Sequence, residues 1–182
     1  MKLLIASMAL LMSAAALSAG SVVANGGFET GDFTGWSLSG NTSFTGVAPG
    51  YFAHSGEYGA FLGAVGSNSY LSQTVSTVEG VSYTLDYWLE NQSGTPNAFA
   101  AYWNGQEIAS MNNAGGFDYT EYTFSGLVGT GSDTLMFAVR QDPAYYGLDD
   151  VSLSSSIPEP ATLGLIGVAL IGLGVLRKKI RH

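Results

Sequence analysis

The fold class is decided by residues 81–90, which read Val-Ser-Tyr-Thr-Leu-Asp-Tyr-Trp-Leu-Glu. Apolar side chains occupy every second position, and they alternate with a second set that contains Asp86, Trp88 and Glu90. Because successive side chains of a β-strand point to opposite faces, this period of two predicts a strand with one buried and one outward face. Trp88 is therefore expected to share the outward face with Asp86.

Similar short segments lie on both sides of this stretch. Strands are predicted over residues 58–62, 70–76, 98–103, 107–111, 119–124, 134–140 and 148–153, with clusters of Gly, Asn, Asp and Ser between them. Asn104-Gly105 predicts a two-residue hairpin turn, because both residues accept a positive φ at little cost. Short strands at this spacing, without a sustained helical period, predict an all-β fold: a two-sheet antiparallel sandwich.

Composition narrows the possible functions. The chain has 182 residues, no Cys and 11% charged residues, which indicates one folded domain without disulfides. Residues 21–156 contain 13 acidic groups and one basic residue, Arg140, so this part carries a net charge of −12. Such a surface repels polyanions, which excludes nucleic acid as a partner.

The first twenty residues have the organisation of a secretory signal peptide. A basic start at Lys2 precedes an apolar run and then the small residues Ser18, Ala19 and Gly20. Cleavage is expected within residues 18–24, and the earlier positions are favoured because Val22 and Val23 look like the opening of the first strand.

The other end of the chain predicts a transmembrane helix. Pro158, Glu159 and Pro160 precede sixteen residues without a charge, 161–176. As a helix this segment is about 24 Å long, slightly under the hydrocarbon thickness of about 30 Å, and flanking basic side chains can cover the difference. A basic membrane stop follows at Arg177, Lys178, Lys179 and Arg181. These cations place the C-terminus in the cytoplasm and the domain outside.

Pro-Glu-Pro, a Gly-rich apolar helix and a basic stop together resemble the PEP-CTERM sorting signal of Gram-negative bacteria that make exopolysaccharide. The resemblance implies recognition of Pro158, Glu159 and Pro160 by an exosortase, which cuts nearby and releases or transfers the domain. It divides the chain into a signal peptide (1–20), a β-domain (21–156) and a sorting signal (157–182). The inner membrane would hold the protein only transiently, before it reaches the cell surface or the extracellular space.

Two further motifs, residues 25–36 and 147–153, resemble the opening and closing strands of galactose-binding-like jelly-roll modules, which are similar to several carbohydrate-binding modules. The resemblance implies a single jelly roll whose first and last strands are neighbours. Glu29 would then approach Asp149 and Asp150, and such oxygen ligands suit one structural calcium ion. The alternative is that Glu29 caps a turn and the two aspartates are solvated.

Glycan binding requires an aromatic ring beside hydrogen-bonding side chains. Trp88 with Asp86 is one candidate, and Tyr145 and Tyr146 beside Arg140 are another, lining a mouth between strands. Tyr51, Phe52 and Trp103 are weaker candidates. The alternative is that the sandwich buries most of its aromatic residues, with Trp36 and Tyr87 in the core.

The sequence contains few residues or motifs that would support an enzymatic function. His54 is the one His of residues 21–156, Cys and Lys are missing there, and no nucleophile elbow or zinc-protease motif occurs. The expectation is a protein that is not an enzyme, with a glycoside-active carboxylate pair as a remote alternative. His54 is interpreted as a turn residue.

Together these features predict an exported surface or matrix protein that acts as a structural or polysaccharide-associated component of biofilm. The alternative is a calcium-dependent, lectin-like carbohydrate-binding module. The expected partners are an exosortase and an exopolysaccharide.

Overall fold

The structure, a computed structural model, describes residues 20–142 and 144–155. This part contains ten strands: β1 (Ser37–Gly40), β2 (Thr45–Pro49), β3 (Tyr58–Leu62), β4 (Ser69–Ser76), β5 (Ser82–Asn91), β6 (Asn97–Trp103), β7 (Gln106–Asn112), β8 (Phe117–Val128), β9 (Ser132–Gln141) and β10 (Tyr146–Ser155). Within these residues no helix is long and apolar enough to cross a membrane. The predicted signal peptide, Pro-Glu-Pro, the apolar helix and the basic stop lie outside the described residues, and the domain boundaries stay a prediction.

The strands form two five-stranded antiparallel sheets. The first sheet has the order β1-β4-β9-β6-β7, and the second has the order β2-β3-β10-β5-β8. The all-β, two-sheet prediction is therefore confirmed for the described residues.

The core lies between the inner faces of these sheets. Tyr83, Leu85, Tyr87 and Leu89 of β5 are buried, while the side chains between them are partly exposed, as the period of two predicts. Tyr87 meets Phe137 of the first sheet edge to face, with ring centroids 5.2 Å apart and planes at 76°. Such contacts add specific geometry to the burial of apolar surface that stabilises the sandwich.

The predicted hairpin is also confirmed. Trp103 pairs with Gln106 across the turn, and Asn104 and Gly105 have φ values of 51° and 79°. Two positive φ values are what a two-residue turn needs to follow the right-handed twist of the flanking strands.

The start of the domain differs from the prediction. Val22 and Val23 are not in a strand, and residues 21–32 form bends and turns up to the short strand β1. The segment nevertheless runs beside β10, because the backbone N–H of Val22 donates to Leu153 O (2.9 Å) and that of Val151 donates to Gly26 O (3.0 Å). A Cβ on Gly26 would lie 1.8 Å from the carbonyl oxygen of Val151, so this close approach requires glycine.

Candidate functional site

Two carboxylates that the sequence singled out, those of Asp149 and Asp150, meet at one corner beside Gly27. A Cβ on Gly27 would lie 3.5 Å from Asp150 Oδ1, 3.8 Å from Asp149 Oδ1 and 3.8 Å from Glu29 Cγ. The segment 22–27 beside β10 produces this convergence. No strand carries Glu29, and the expected approach of its carboxylate to the two aspartates stays a prediction.

The fully buried Asp149 anchors the loop of residues 50–57, hereafter the 50–57 loop. Asp149 Oδ2 accepts the backbone N–H groups of His54 (2.8 Å) and Ser55 (3.1 Å), and Oδ1 accepts that of Asp150 (2.7 Å). Burial raises the pKa of Asp149 to about 6, because it outweighs these hydrogen bonds, and the neighbouring Asp150 carboxylate adds to the rise. The Asp149 carboxylate therefore holds the 50–57 loop against the second sheet by hydrogen bonds.

Asp150 and Glu29 bind the same loop from other directions. Asp150 Oδ2 lies 2.7 Å from His54 Nδ1, and Asp150 Oδ1 accepts the hydroxyl of Ser55 at 2.8 Å. Asp150 has a φ of 48° and lies in the irregularity that interrupts the pairing of β10 with β5. This bulge turns its side chain toward the loop. Glu29 accepts the backbone N–H groups of Glu57 (3.0 Å) and Tyr58 (3.1 Å).

The carboxylates are thus directed at loop donors. Within residues 20–142 and 144–155, no group of three or more His, Cys, Asp or Glu side chains has an arrangement that holds a metal ion. The calcium expectation for Glu29, Asp149 and Asp150 is not tested by this geometry and stays a prediction.

Trp88 lies on the outward face of β5, as predicted, but one face of its ring is covered. The imidazole of His54 stacks on its indole, and the Tyr119 ring lies 5.3 Å from that imidazole, centroid to centroid. His54 is a loop residue, as interpreted, and its contacts with Trp88 and Asp150 are additional. The sequence shows no sign of them, because they depend on where the 50–57 loop crosses the sheet.

The other glycan candidates are dispersed. Asp86 accepts the Thr123 hydroxyl (2.7 Å) on the second sheet, whereas Arg140 lies on the first sheet and pairs with Asp142 (2.6 Å). Tyr145 packs against Phe52 and Phe61.

Tyr146 is fully buried, and its hydroxyl donates to Asn97 Oδ1 at 2.7 Å. The expectation that Tyr146 lines a mouth beside Arg140 is wrong. Its ring points inward at the start of β10, where it packs against Phe99 of the first sheet.

A different aromatic pair lies on the outer face of the first sheet. Tyr70 of β4 is opposite Ala138 of β9, and Tyr102 of β6 is opposite Met136, two residues earlier in β9. The outward-facing Ala138 and Ala100 are only 4% and 9% exposed, while Tyr70 is 37% exposed. Two tyrosines thus flank a floor of small side chains that neighbouring side chains almost completely cover.

Hydroxyl groups and one carboxylate border this face. Ser39 is opposite Tyr70, and Ser110 is opposite Ala100. Glu107 accepts the hydroxyls of Ser110 (2.7 Å) and Tyr102 (3.3 Å), and burial together with Glu107 raises the pKa of Tyr102. Aromatic rings next to hydroxyl and carboxylate groups suit a neutral, hydroxyl-bearing ligand.

Tyr70 and Tyr102 were not predicted as site residues, although the sequence contains a signal for both. In residues 70–76, Tyr70 alternates in phase with serine and threonine, and in residues 98–103, Tyr102 alternates in phase with two alanines. Both patterns place the tyrosine on the outward face.

Known proteins resemble two parts of the chain, the C-terminal sorting signal and the β-domain. Residues 156–179 match the model of the PEP-CTERM protein-sorting motif. No curated protein matches the chain significantly.

Solved structures match the β-domain. TmCBM61, solved in complex with β-1,4-galactotriose, is 25% identical, with a TM-score of 0.63 over 75% of this chain and 99% of its own. The CBM22-1 xylan-binding domain of Paenibacillus barcinonensis Xyn10C is 15% identical, with a TM-score of 0.52 over 77% of this chain and 97% of its own.

The fold also occurs outside carbohydrate-binding modules. A cleaved adhesin domain of Lys-gingipain from Porphyromonas gingivalis is 14% identical, with a TM-score of 0.53 over 72% of this chain and 96% of its own. The chain carries the PEP-CTERM sorting motif, and its structural neighbours include carbohydrate-binding-module jelly-roll domains.

Proposed function

We propose that this is an exported polysaccharide-binding protein whose β-domain binds a neutral glycan across the outer face of the first sheet. The observation that carries the proposal is the pair Tyr70 and Tyr102 on either side of the Ala138 and Ala100 floor. The strands β4 and β6 that carry the two rings flank β9, so their axes are about 9.5 Å apart. A sugar ring would stack on the solvent-exposed faces of these two aromatic side chains.

The chemistry of the face supports a neutral ligand. Arg140, the only Lys or Arg of the described part, is paired with Asp142, and the Glu107 carboxylate accepts the Tyr102 hydroxyl. An anionic polymer would meet no free cation here. The hydroxyls of Ser39 and Ser110 and the Glu107 carboxylate are suited to hydrogen-bond sugar hydroxyls.

The likeness to TmCBM61 supports the choice of glycan. That module was solved with β-1,4-galactotriose, and it shares 25% identity over nearly its whole length with this chain. We therefore choose β-1,4-galactotriose as the first ligand to test. Xylohexaose is the second, because a similar structure, the CBM22-1-GH10 modules of Clostridium thermocellum Xyn10B, was solved with it. A binding role without catalysis is compatible with neighbours that are mostly carbohydrate-binding modules.

The sorting motif indicates where in or outside the cell the β-domain acts. A PEP-CTERM motif implies an exported protein that an exosortase processes, and Pro158, Glu159 and Pro160 lie within the matched residues. Release or transfer at this point would put the β-domain at the cell surface or outside the cell. We propose that it acts there as a polysaccharide-associated component of the biofilm matrix.

One structural calcium ion at the Gly27 corner is a separate proposal. Carboxylate oxygens of Glu29, Asp149 and Asp150 are ligands that Ca²⁺ prefers, and binding there would stabilise the 50–57 loop. Thermal unfolding of the full-length protein in excess calcium and in EDTA tests it. A higher Tm in calcium that Asp149→Asn removes supports the ion, and equal Tm values contradict it.

Isothermal titration of the full-length protein, held in a detergent without a sugar headgroup, tests glycan binding. We expect β-1,4-galactotriose or xylohexaose to bind, and Tyr70→Ala and Tyr102→Ala each to weaken that binding about tenfold, which corresponds to ~1.4 kcal/mol.

Phe44→Ala is the matched control. Phe44 is an aromatic residue that is 61% exposed and lies next to β2 of the second sheet. Its loss should leave the affinity unchanged. Wild-type affinity in both tyrosine variants would contradict the proposed face.

A further inference from the structure

Residues 21–26, hereafter the N-terminal strap, run along one edge of β10. On this edge β3 pairs with only the first three residues of β10. Further along β10 the strap takes its place: the backbone N–H of Val151 donates to Gly26 O (3.0 Å), and that of Val22 donates to Leu153 O (2.9 Å). The strap therefore supplies the backbone partners that β3 does not reach.

The strap is bound to the domain from its first residue. Ser21 Oγ accepts the backbone N–H groups of Leu153 (3.1 Å) and Val23 (3.1 Å). Val23 is 8% exposed and packs in the hydrophobic core. The beginning of the strap is thus part of the folded domain and not a loose end.

Gln73 of β4 ties the strap to the first sheet. Its Oε1 accepts the backbone N–H of Ala24 (2.7 Å), and its Nε2 donates to Ala24 O (2.9 Å). Gln73 is buried, and Trp36 Nε1 donates to the next carbonyl oxygen, that of Asn25, at 3.1 Å. Because β10 belongs to the second sheet, the strap bridges both sheets and closes an edge of the sandwich.

Removal of the strap would leave several buried polar groups without partners. Leu153 would lose the partners of its N–H and C=O, Val151 would lose that of its N–H, and the Gln73 amide would lose both of its hydrogen bonds. Buried polar groups without partners are costly, and the apolar surface that Val23 covers would also open to water. The fold therefore requires the strap.

The sequence offers a signal peptidase several positions for its cut. The enzyme requires a small residue directly before the cleaved bond, and Ser18, Ala19, Gly20 and Ala24 all meet this requirement. A cut after any of the first three leaves the strap whole. A cut after Ala24 removes residues 21–24 and with them most of the contacts described above.

We propose that a signal peptidase cuts the chain before Ser21, directly after residue 18, 19 or 20, and that the strap stays in the mature protein as the closure of the sandwich. The cut is a hydrolysis: the peptide C–N bond breaks, and water supplies the hydroxyl of the new carboxyl group and a proton of the new amine. β10 ends at Ser155, directly before the residues that match the sorting motif. The retained strap thus stabilises the strand that precedes this motif in the sequence.

N-terminal sequencing of the protein recovered from culture tests the position of the cut. We expect the mature chain to begin at residue 19, 20 or 21. A chain that begins at Asn25 overturns the proposal. This measurement uses the wild-type protein, so it decides the position of the cut whether or not a strap variant folds.

Gln73→Ala, made in the full chain, tests the role of the strap, and Gln106→Ala is the matched control. Gln106 is an exposed glutamine at the start of β7 on the same sheet. We expect Gln73→Ala to lower Tm by about 5 °C and Gln106→Ala to change it by less than about 1 °C. Elastase, which cuts after small side chains, should cleave within residues 22–24 at least tenfold faster in Gln73→Ala, because the strap opens more often.

The outcomes separate the two parts of the proposal from each other and from glycan binding. Equal Tm values and equal elastase rates for the two glutamine variants overturn the role of the strap, even when the mature chain begins before Ser21. Neither readout depends on a ligand. The proposed glycan face on the first sheet therefore stands or falls by its own titrations.

Discussion

The imidazole of His54 lies flat on the indole of Trp88, with ring centroids 3.7 Å apart and planes 12° from parallel. His54 is fixed in this position by its Nδ1 contact with Asp150 and by its backbone bond to Asp149. One face of the most conspicuous outward tryptophan is therefore occupied by the protein itself. Trp88 joins the 50–57 loop to the second sheet.

Replacement of Trp88 by alanine is expected to affect stability more than glycan binding. Loss of this half-buried ring and of its stacking contact with His54 should lower the free energy of unfolding by about 2 kcal/mol. Urea unfolding and titration with β-1,4-galactotriose measure the two quantities. A tenfold loss of affinity at unchanged stability would make Trp88 a binding residue after all.

Gly26→Ala is expected to be strongly destabilising. Its Cβ would lie 1.8 Å from Val151 O, so the segment beside β10 would have to move away and lose its backbone hydrogen bond, at a cost of about 3 kcal/mol. Gly115→Ala is the control, because nothing lies within 4 Å of its Cβ position and the cost there should be under about 0.5 kcal/mol. Thermal unfolding of both variants checks the difference, and equal Tm values would contradict it.

Asp133 is expected to make the protein sensitive to acid. Burial alone would raise its pKa, but hydrogen bonds from Thr77, Thr130 and Asn104 outweigh burial and lower the pKa from 3.8 to about 2. Because the folded-state pKa is the lower one, this stabilisation is present above about pH 4 and is lost as the pH falls toward 2.

The measurement is urea unfolding between pH 2 and pH 5 for wild type and Asp133→Asn. Wild type should lose stability more steeply in this window, and the variant should be less stable at pH 7 by about 1–3 kcal/mol. Parallel curves for the two proteins would show that Asp133 does not titrate as described.

Much of the sandwich could be predicted because its strands are periodic. The alternation in residues 81–90 gave the correct inner and outer faces of β5, and Asn104-Gly105 marked the hairpin. β1 and β2 were missed because they are only four and five residues long and lack buried alternating positions. Val22 and Val23 looked like a strand, but the glycines that follow take the chain into turns.

The site was harder to predict because it depends on which strands are neighbours. The resemblance predicted that Glu29 approaches Asp149 and Asp150, whereas the anchoring of the 50–57 loop by the two aspartates depends on a bulge in β10. Tyr70 and Tyr102 are 32 positions apart in sequence, and they share a face only because β9 lies between β4 and β6. Single-strand periodicity gives the face of a side chain but not its neighbours.

The protein recovered from culture is expected to lack both ends of the chain. Intact-mass spectrometry should show a species without residues 161–182 and without the first 18 to 24 residues. A double variant, Pro158→Ala with Pro160→Ala, should keep the C-terminal segment. A wild-type mass that still includes residues 161–182 would contradict processing at the sorting motif.

The binding face on the first sheet is tested most directly by NMR titration of the ¹⁵N-labelled full-length protein with β-1,4-galactotriose or xylohexaose. The largest amide shift changes are expected at Tyr70 of β4, Ala138 of β9 and Tyr102 of β6, and they should saturate with the added glycan. Amides of these three strands that stay unchanged while either glycan is added in excess would contradict the proposed site.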